Sequence, residues 1–465
     1  MIPLLTAAET RRSEEAYEGS LDELMERAGT AVAEHVLARY PGRVTVVCGG
    51  GNNGGDGRAC ARVLRERGRE VTVVDRFGEL GDADVVVDAL LGIGLREAPR
   101  EDVARMIDRI NGAGVPVVAI DVPSGVDAST GEVPGAAVAA DRTVTFAAAK
   151  VGLVVAPGRF RCGQVEVADI GLAVGEHEHA RVPASLLAEV PRKRHDSTKY
   201  RAGSVLVVGG SPGLTGAPVL AALAAFRADA GYVRVGVPQS CVPAVEAHLL
   251  EAVKLALPED ATGHLLPRAA DAIVEAADRA DAVAIGPGLG RTEGTRELVR
   301  LLLESIAKPV VIDADGLWRP EPFARRAATV LTPHAGELAR LVGEEPAEVD
   351  AHRLESVRRA ASLYGAAVLL KGIDTLVASP RKGVLVADYG GPSLATAGTG
   401  DVLTGVVAAF LAKGMEPQLA AAAAAVAHGL ASRLLGDPPG LIASDLLPAV
   451  QRALAGEGRD GSAPR

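Results

Sequence analysis

Long apolar runs, paired cysteines and aromatic side chains are all scarce in this chain. No uninterrupted apolar stretch approaches the roughly 20 residues needed to cross a bilayer; Ala420 to Val426 is short and alanine-rich, so no membrane partner is expected. The N-terminus, Met1-Ile-Pro-Leu-Leu-Thr6, passes straight into a charged helical pattern with no secretory-signal core. The four cysteines, Cys48, Cys60, Cys162 and Cys241, form no Cys-x-x-Cys pair, which reads as reduced thiols in a cytoplasmic protein. Aromatics make up 3% of the residues and the formal net charge is -10. With so little stacking surface and an acidic field, nucleic acid is not expected as a partner. A small anionic ligand remains compatible, because local backbone N–H groups overcome a global field.

What the chain does have is length, glycine and pattern. Its 465 residues exceed one typical domain, so two or three are expected. A hydrophobic share of 48% and a charged share of 23% are ordinary for globular protein. The most informative stretch is Leu394-Ala-Thr-Ala-Gly-Thr-Gly-Asp-Val-Leu-Thr-Gly405, small residues that open into the apolar run Val402 to Leu411. It reads as a loop feeding a buried helix, whose free N–H groups attract phosphate. Asp401 stands there either as a helix cap or as a carboxylate that takes a proton from a hydroxyl beside those phosphates. The combination points to chemistry on or next to a nucleotide.

In the first half, Ala7 to Arg39 has apolar residues at helical spacing and predicts two helices broken near Gly19. The strand Val44–Cys48 then runs into Gly49-Gly-Gly-Asn-Asn-Gly-Gly-Asp-Gly57, and a helix is predicted over Arg58 to Arg67. Strand, glycine-rich loop and helix is a layout that places phosphate on a helix N-terminus, although neither GxGxxG nor P-loop spacing is present. Further strands are predicted at Val71–Asp75, Val85–Asp88 and Val115–Asp121, with a helix from about Glu101 to Ile110, and closing strands at Val144–Phe146 and Val165–Val167. Alternating strands and helices imply a mainly parallel, covered sheet with ligands at the C-terminal strand ends. Asn52, Asn53 and Asp56, then Asp88 before Leu91-Gly-Ile-Gly94, then Asp121-Val-Pro-Ser124-Gly125 all fall at that edge. Each aspartate alone is readable as a turn cap; together these oxygen-rich groups suit a hard cation.

Leu24-Met-Glu-Arg-Ala-Gly29, the GNNGGDG loop, Val87-Asp-Ala-Leu-Leu-Gly92 and Ile120-Asp-Val-Pro-Ser-Gly125 resemble the NAD(P)H-hydrate epimerase family over residues 1–170. The resemblance implies a Rossmann-like fold that interconverts the R and S epimers of hydrated NADH or NADPH. It implies that Asn52, Asn53, Gly54, Gly55 and Asp56, the segment Gly92, Ile93, Gly94, Leu95, Arg96, Glu97 and Ala98, and Asp121 contact the substrate. It also implies that Asn53, Asp88 and Ser124 hold potassium. Asp121 is then the first choice for the proton-transferring group. Lys150, in Ala147-Ala-Ala-Lys-Val, is the second, equally readable as a solvated or structural lysine. The chain departs from the family between Arg76 and Gly81, where a longer segment is usual.

Residues 171–195 lose the strand pattern and read as the linker, whose basic run, Arg192-Lys-Arg-His195, is most simply a solvated segment. From Ser204 the strand pattern returns. Gly210-Ser-Pro-Gly-Leu-Thr-Gly-Ala-Pro218, Gly286-Pro-Gly-Leu-Gly290, Asp313-Ala-Asp-Gly-Leu317, Thr332-Pro-His-Ala-Gly-Glu337, Leu369-Leu-Lys-Gly372 and the Asp401 loop occur in the order of the ADP-dependent NAD(P)H-hydrate dehydratase family, within the ribokinase-like superfamily, which they resemble over residues 196–455. The resemblance implies that Ala217, Gly288, His334 and Asp401 face the hydrated nicotinamide nucleotide, and that Lys371, Gly372, Ile373, Asp374, Thr375 and Gly400 hold the adenosine phosphate. Asp229 stands where glycine is usual, and Gly390-Gly391 where a Gly-Asn pair is.

The resulting expectation is an α/β protein of two domains, a Rossmann-like epimerase domain at 1–170 and a ribokinase-like domain at 196–455, joined by the 171–195 linker and ending in a disordered tail at 456–465. By the resemblance, Asp401 activates the hydroxyl of the hydrate for phosphorylation by ADP, with Mg2+ accompanying the nucleotide and K+ in the first domain. Elimination then restores the dihydropyridine and leaves AMP and phosphate. A cytoplasmic homo-oligomer acting on small molecules is expected. The competing reading is a ribokinase-like small-molecule kinase carrying a nucleotide-binding regulatory module.

Overall fold

The computed structural model describes residues 1–458 and divides into two compact units, one holding Ile2–Ala180 with Asp350–Glu355 and the other most of the remaining chain from Arg181. The expected disordered tail lies outside the described residues from 459 onward. Residues 456–458 form an ordered turn, with Glu457 N donating to Arg452 O at 3.2 Å.

The first unit contains β1 (Ile2–Leu5), α1 (Ala7–Glu15), α2 (Leu21–Arg39), β2 (Val44–Cys48), α3 (Asn52–Glu66), β3 (Val71–Val74), β4 (Val85–Ala89), α4 (Glu101–Asn111), β5 (Val117–Ile120), β6 (Arg142–Phe146), β7 (Ala149–Lys150) and β8 (Gln164–Ala168). Its six-stranded sheet runs β3-β2-β4-β5-β6-β8, parallel throughout. The valine-rich strands β2 and β4 are buried along their whole length, as strands covered on both faces must be. Helix α4 covers one face through Val103, Met106, Ile107 and Ile110, one stripe at helical spacing. Ser20 caps α2, and Thr6 and Glu9 form a capping box at α1, which places the expected break around Gly19.

The glycine-rich stretch differs from expectation. Helix α3 starts at Asn52, so most of the stretch is helix rather than a preceding loop. Its glycines serve close packing: a Cβ at Gly54 would lie 2.0 Å from Gly49 O, and one at Gly57 would lie 2.5 Å from Ala89 Cβ. Residues 75–84 join parallel strands β3 and β4 with no regular element between them. Leu80 and Ala83 pack on the core there, and Thr45 Oγ1 donates to Leu80 O at 2.8 Å. All six strands of the sheet are nonetheless present.

The second unit begins at the end of β9 (His179–Arg181) and continues with β10 (Ser204–Val208), α5 (Gly216–Arg227), β11 (Tyr232–Pro238), α6 (Val242–His248), β12 (Val253–Leu257), α7 (Ala270–Asp278), β13 (Ala282–Ile285), α8 (Glu293–Ser305), β14 (Val310–Ile312) and β15 (Thr329–Leu331). There follow α9 (Ala335–Val342), α10 (Pro346–Ala351) and α11 (Arg353–Tyr364), whose residues Asp350–Glu355 belong to the first unit, then β16 (Ala367–Leu370), β17 (Thr375–Ala378), β18 (Leu385–Ala387), α12 (Thr399–Ala412), α13 (Pro417–Leu434) and α14 (Leu446–Ala455). Strands order as β12-β11-β10-β13-β14-β15-β16-β17-β18. Pairing is parallel from β12 to β16 and antiparallel through β17 and β18. Among helices of eighteen residues or more, none described is apolar enough to cross a membrane.

Two corrections concern the joint. The stretch read as a linker contains β9 and a short 3-10 helix at Ala184–Ala188, and Val182, Leu186, Leu187 and Val190 belong to the second unit's core. Asp229 adopts φ 70, which explains a preference for glycine there, and its carboxylate pairs with Lys193 and with the largely buried Lys413, each at 2.9 Å. The basic run is thereby partly tied down.

Helices α5 and α12 pack through Gly405, where an added Cβ would lie 2.0 Å from Ala221 O. Replacing a mid-helix glycine by alanine ordinarily favours the helix by about 1 kcal/mol. Overpacking costs about 1–3 kcal/mol, and a contact with backbone belongs at the upper end because backbone yields least. Gly405→Ala is therefore expected to lower the calorimetric melting midpoint; an unchanged or raised midpoint would show that the two helices separate freely.

Candidate functional site

Each unit gathers polar side chains at the C-terminal ends of its parallel strands, and the two gatherings are described separately. In the first, Asp88 lies on β4 and is fully buried. Its Oδ1 accepts from Ser124 Oγ at 2.6 Å and Leu90 N at 3.2 Å, and its Oδ2 accepts from Ser124 N at 2.8 Å. Burial pushes the Asp88 carboxyl up, against these donors. Asn53, in the first turn of α3, donates through Nδ2 to Leu91 O at 2.7 Å, while its Oδ1 is buried with no hydrogen-bond partner. Leu91 N in turn donates to Ser124 Oγ at 2.8 Å. Asn53, Asp88 and Ser124 are thus brought together around Leu91.

Beside them, Asp121 ends β5 with φ 63 and accepts from Thr145 Oγ1 at 2.8 Å and from Lys150 Nζ at 2.5 Å. Lys150 is 1% exposed and also donates to Phe146 O at 3.1 Å, so it is not the solvated lysine that its sequence allowed. Burial, then the charges of Asp121 and Glu14, push the Asp56 carboxyl up to about 8, with Lys150 opposing. Glu14 of α1 responds to the same field, raised by burial and by Asp121. Nothing in the charged pattern of α1 singled it out. Gly92, Gly94, Leu95, Arg96 and Glu97 line a cavity of about 340 Å³, with Ile93 partly buried below and Ala98 exposed. Gly55 packs against Met25, and Asn52 is exposed at the start of α3.

In the second unit, Gly398 turns at φ 90 and α12 begins at Thr399, placing Asp401 in its first turn. A Cβ on Gly400 would lie 3.4 Å from Lys371 Nζ and 3.9 Å from Asp313 Oδ2. The loop therefore lies over an ion pair. Lys371 Nζ donates to Asp313 Oδ1 at 2.9 Å and approaches Glu337 Oε2 at 3.7 Å, while Thr404 Oγ1 donates to Asp313 Oδ2 at 2.7 Å. Burial, then the Asp313 charge, push the Asp401 carboxyl up to about 7, and Lys371 pulls the other way.

His334 caps α9, its Nδ1 accepting from Gly336 N at 3.0 Å and Glu337 N at 3.3 Å. Burial lowers its pKa, and Nε2 of the half-exposed ring lies 3.5 Å from Glu337 Oε1. Gly288 and Ala217 are neighbours, since a Cβ on Gly288 would sit 3.2 Å from that of Ala217. Within the 371–375 segment, Gly372 and Ile373 are exposed, Thr375 Oγ1 donates to Gly372 O at 2.9 Å, and Asp374 is turned into the interior at 1% exposure.

Asp313, Asp315, Glu337 and Thr404 were not among the candidates read from sequence. Asp315 accepts from Gly290 N at 2.9 Å and Arg291 Nε at 2.8 Å. The signal for both aspartates was the Asp-Ala-Asp that ends an apolar strand. A cavity of about 1140 Å³ beside α8, lined by Trp318, Phe323 and Arg325, includes none of Asp401, Lys371 or His334.

Comparison with known proteins agrees with both halves. The family described as "NAD(P)H-hydrate dehydratase" matches residues 205–452, and the family described as "YjeF-related protein N-terminus" matches 21–83 and 74–152, two stretches that meet at the shortened crossover. The bifunctional NAD(P)H-hydrate repair enzyme of Salinibacter ruber is 39% identical, covering 98% of this chain and 97% of its own. That of Escherichia coli K12 is 36% identical, covering 95% and 91%. Among solved structures, an ADP/ATP-dependent NAD(P)H-hydrate dehydratase from Bacillus subtilis, co-crystallized with ATP/Mg2+, is 29% identical with a TM-score of 0.52, covering 58% of this chain and 95% of that one. Similarity of this extent, running nearly end to end through both units, makes the chain a member of the bifunctional NAD(P)H-hydrate repair enzyme family.

Proposed function

We propose that the first unit interconverts the R and S epimers of hydrated NADH or NADPH and that the second dehydrates the S form at the expense of ADP. The observation that carries this reading is Asp401, a carboxyl held near neutrality in the first turn of α12, beside Lys371 and the helix N–H groups. Asp401 takes the proton of the substrate hydroxyl as its oxygen attacks the terminal phosphorus of ADP, and AMP leaves. Elimination of the phosphate ester then breaks the carbon–oxygen bond, restores the ring double bond and releases phosphate and a proton. The N–H groups at the start of α12 face the charge that develops on the phosphoryl group. Ala217, Gly288 and His334 are assigned to the nicotinamide nucleotide; Lys371, Gly372, Ile373, Asp374, Thr375 and Gly400 are assigned to the adenosine phosphate. Family membership at both ends of the chain favours this over a small-molecule kinase.

Magnesium is assigned to the phosphates of the nucleotide, since among the described residues no three His, Cys, Asp or Glu side chains gather as a metal site. Potassium fits the first unit: Asn53 Oδ1 is buried without a partner, Asp88 is buried, and the donors are all oxygen. Asn53, Asp88 and Ser124 would hold it, where it would supply positive charge. Asp121, clamped by Lys150, is assigned proton transfer, with Asn52, Asn53, Gly54, Gly55 and Asp56 and the Gly92–Ala98 segment around the substrate. A cytoplasmic homo-oligomer completes the proposal; the four free, buried cysteines suit a reducing compartment.

Three outcomes test it. Asp401→Asn keeps a competent helix cap but loses the base, so ADP-dependent dehydration should fall by about 10²–10⁴ while epimerisation is unchanged. Near wild-type dehydration by the folded variant would reduce Asp401 to a cap. Because Asp401 must be ionised to accept a proton, the dehydration rate should rise as pH passes through about 7. Lys371→Met removes the charge that favours ionisation, so this acid limb should move to higher pH and the ADP KM should rise; an unmoved limb would detach Lys371 from Asp401. Finally, Asn53→Ala should raise the potassium concentration needed for half-maximal epimerisation. The same potassium response in variant and wild type would rule out the cation site.

A further inference from the structure

The turn after α13 carries a carboxylate that reaches back to the segment preceding the Asp401 helix. Asp437 adopts φ 49, a left-handed conformation that aspartate tolerates better than most residues. Its Oδ1 accepts from Ser393 N at 3.3 Å and from Ser432 Oγ at 2.8 Å, and it also accepts a short hydrogen bond from Ser393 Oγ. Gly391 has given up its side-chain space to this group, since a Cβ there would lie 2.0 Å from Asp437 Oδ2.

From Ser393 the hydrogen bonding continues toward the site. Ser393 O accepts from Thr396 Oγ1 at 3.0 Å, and Thr399 Oγ1 donates to both Leu394 O and Thr396 O at 2.9 Å. Thr399 is the first residue of α12, two before Asp401. A continuous run of short polar contacts thus extends from Asp437 to the helix start. No residue of the 3-10 turn at Pro392–Leu394 is fully buried, and Leu394 alone of the three packs, partly buried, against the core, so these hydrogen bonds share in holding the turn.

We propose that Asp437 is a positioning residue for the dehydratase site, holding the 391–399 loop so that the first turn of α12 presents its N–H groups and Asp401 to the nucleotide and the acceptor hydroxyl. It acts through the loop and touches neither ligand. The inference rests on the reading of the second unit as an ADP-dependent dehydratase, so wild-type turnover of hydrated NADH with ADP is established first; absence of that turnover counts against the reading, not against the positioning role.

The test is Asp437→Gly in the full chain, which removes the carboxylate while relieving the left-handed backbone. Misplacing reacting groups by a fraction of an ångström to one ångström costs about 10- to 100-fold, so kcat/KM for dehydration should fall by that range, and ADP binding measured by calorimetry should weaken. The melting midpoint, epimerisation and the acid limb of the dehydration profile should stay where they are. Asp437→Asn keeps one acceptor oxygen and should recover most of the loss. Gly391→Ala should reproduce the defect when Asp437 is present and add nothing in the Asp437→Gly background, where its methyl has room. Wild-type kcat/KM and ADP affinity in Asp437→Gly would overturn the proposal. So would a loss accompanied by a lowered melting midpoint with no recovery by Asp437→Asn, and so would additive effects of the two glycine-site changes.

Discussion

The second unit turns on one ammonium placed among carboxylates. Lys371, at the end of β16, holds Asp313 from the end of β14, and Thr404 fastens the other oxygen of Asp313 to α12. That pair joins the sheet edge to the helix that carries Asp401. Taking two charges out of water ordinarily offsets most of their attraction, so the pair is poorly explained as a source of stability. Its effect is to set the local field: burial first and then Asp313 raise the Asp401 carboxyl, and Lys371 lowers it, leaving its pKa at about 7. The first unit repeats the device, with the buried Lys150 clamping Asp121 beyond the end of β5. In both, an aspartate beyond a parallel strand is restrained by a lysine that arrives later in the chain.

Much of this was readable in the chain, and the unread part has a common cause. Valine runs marked β2, β4 and β5, and the small residues before Val402 marked the start of α12, because these patterns are local. Asp313 and Glu337 stood within named motifs but were given no role, because that role depends on three adjacent strands delivering Asp313, Glu337 and Lys371 to one point. Lys150 was ambiguous for the same reason, its burial being decided by Thr145, Phe146 and Asp121 together.

Helix starts were misplaced in a consistent direction. Both α3 and α12 begin earlier than their glycine content indicated, at Asn52 and Thr399. Glycine lowers helix propensity by about 1 kcal/mol per residue, and a local reading counts that cost alone. Tertiary packing outweighs it, since Gly54, Gly57 and Gly405 each stand where a methyl would collide with a neighbouring strand, loop or helix. The antiparallel strands β17 and β18 give no comparable local sign, being short and set beside a polar turn.

The abbreviated crossover between β3 and β4 also bears on how this protein is handled. A connection that usually needs a helix is held here by Leu80 and Ala83, by hydrogen bonds from Thr45 to Leu80 O and from Arg109 to Gly78 O, and by the Arg76–Asp102 pair, while Phe77 is 64% exposed. Extending such a segment adds only slowly to the entropy of closing it, and an exposed tip with little packing tolerates insertion. Phe77 is therefore a natural seat for an epitope or a fluorophore-labelling tag, its neighbours Arg76, Gly78 and Glu79 being tied to α4.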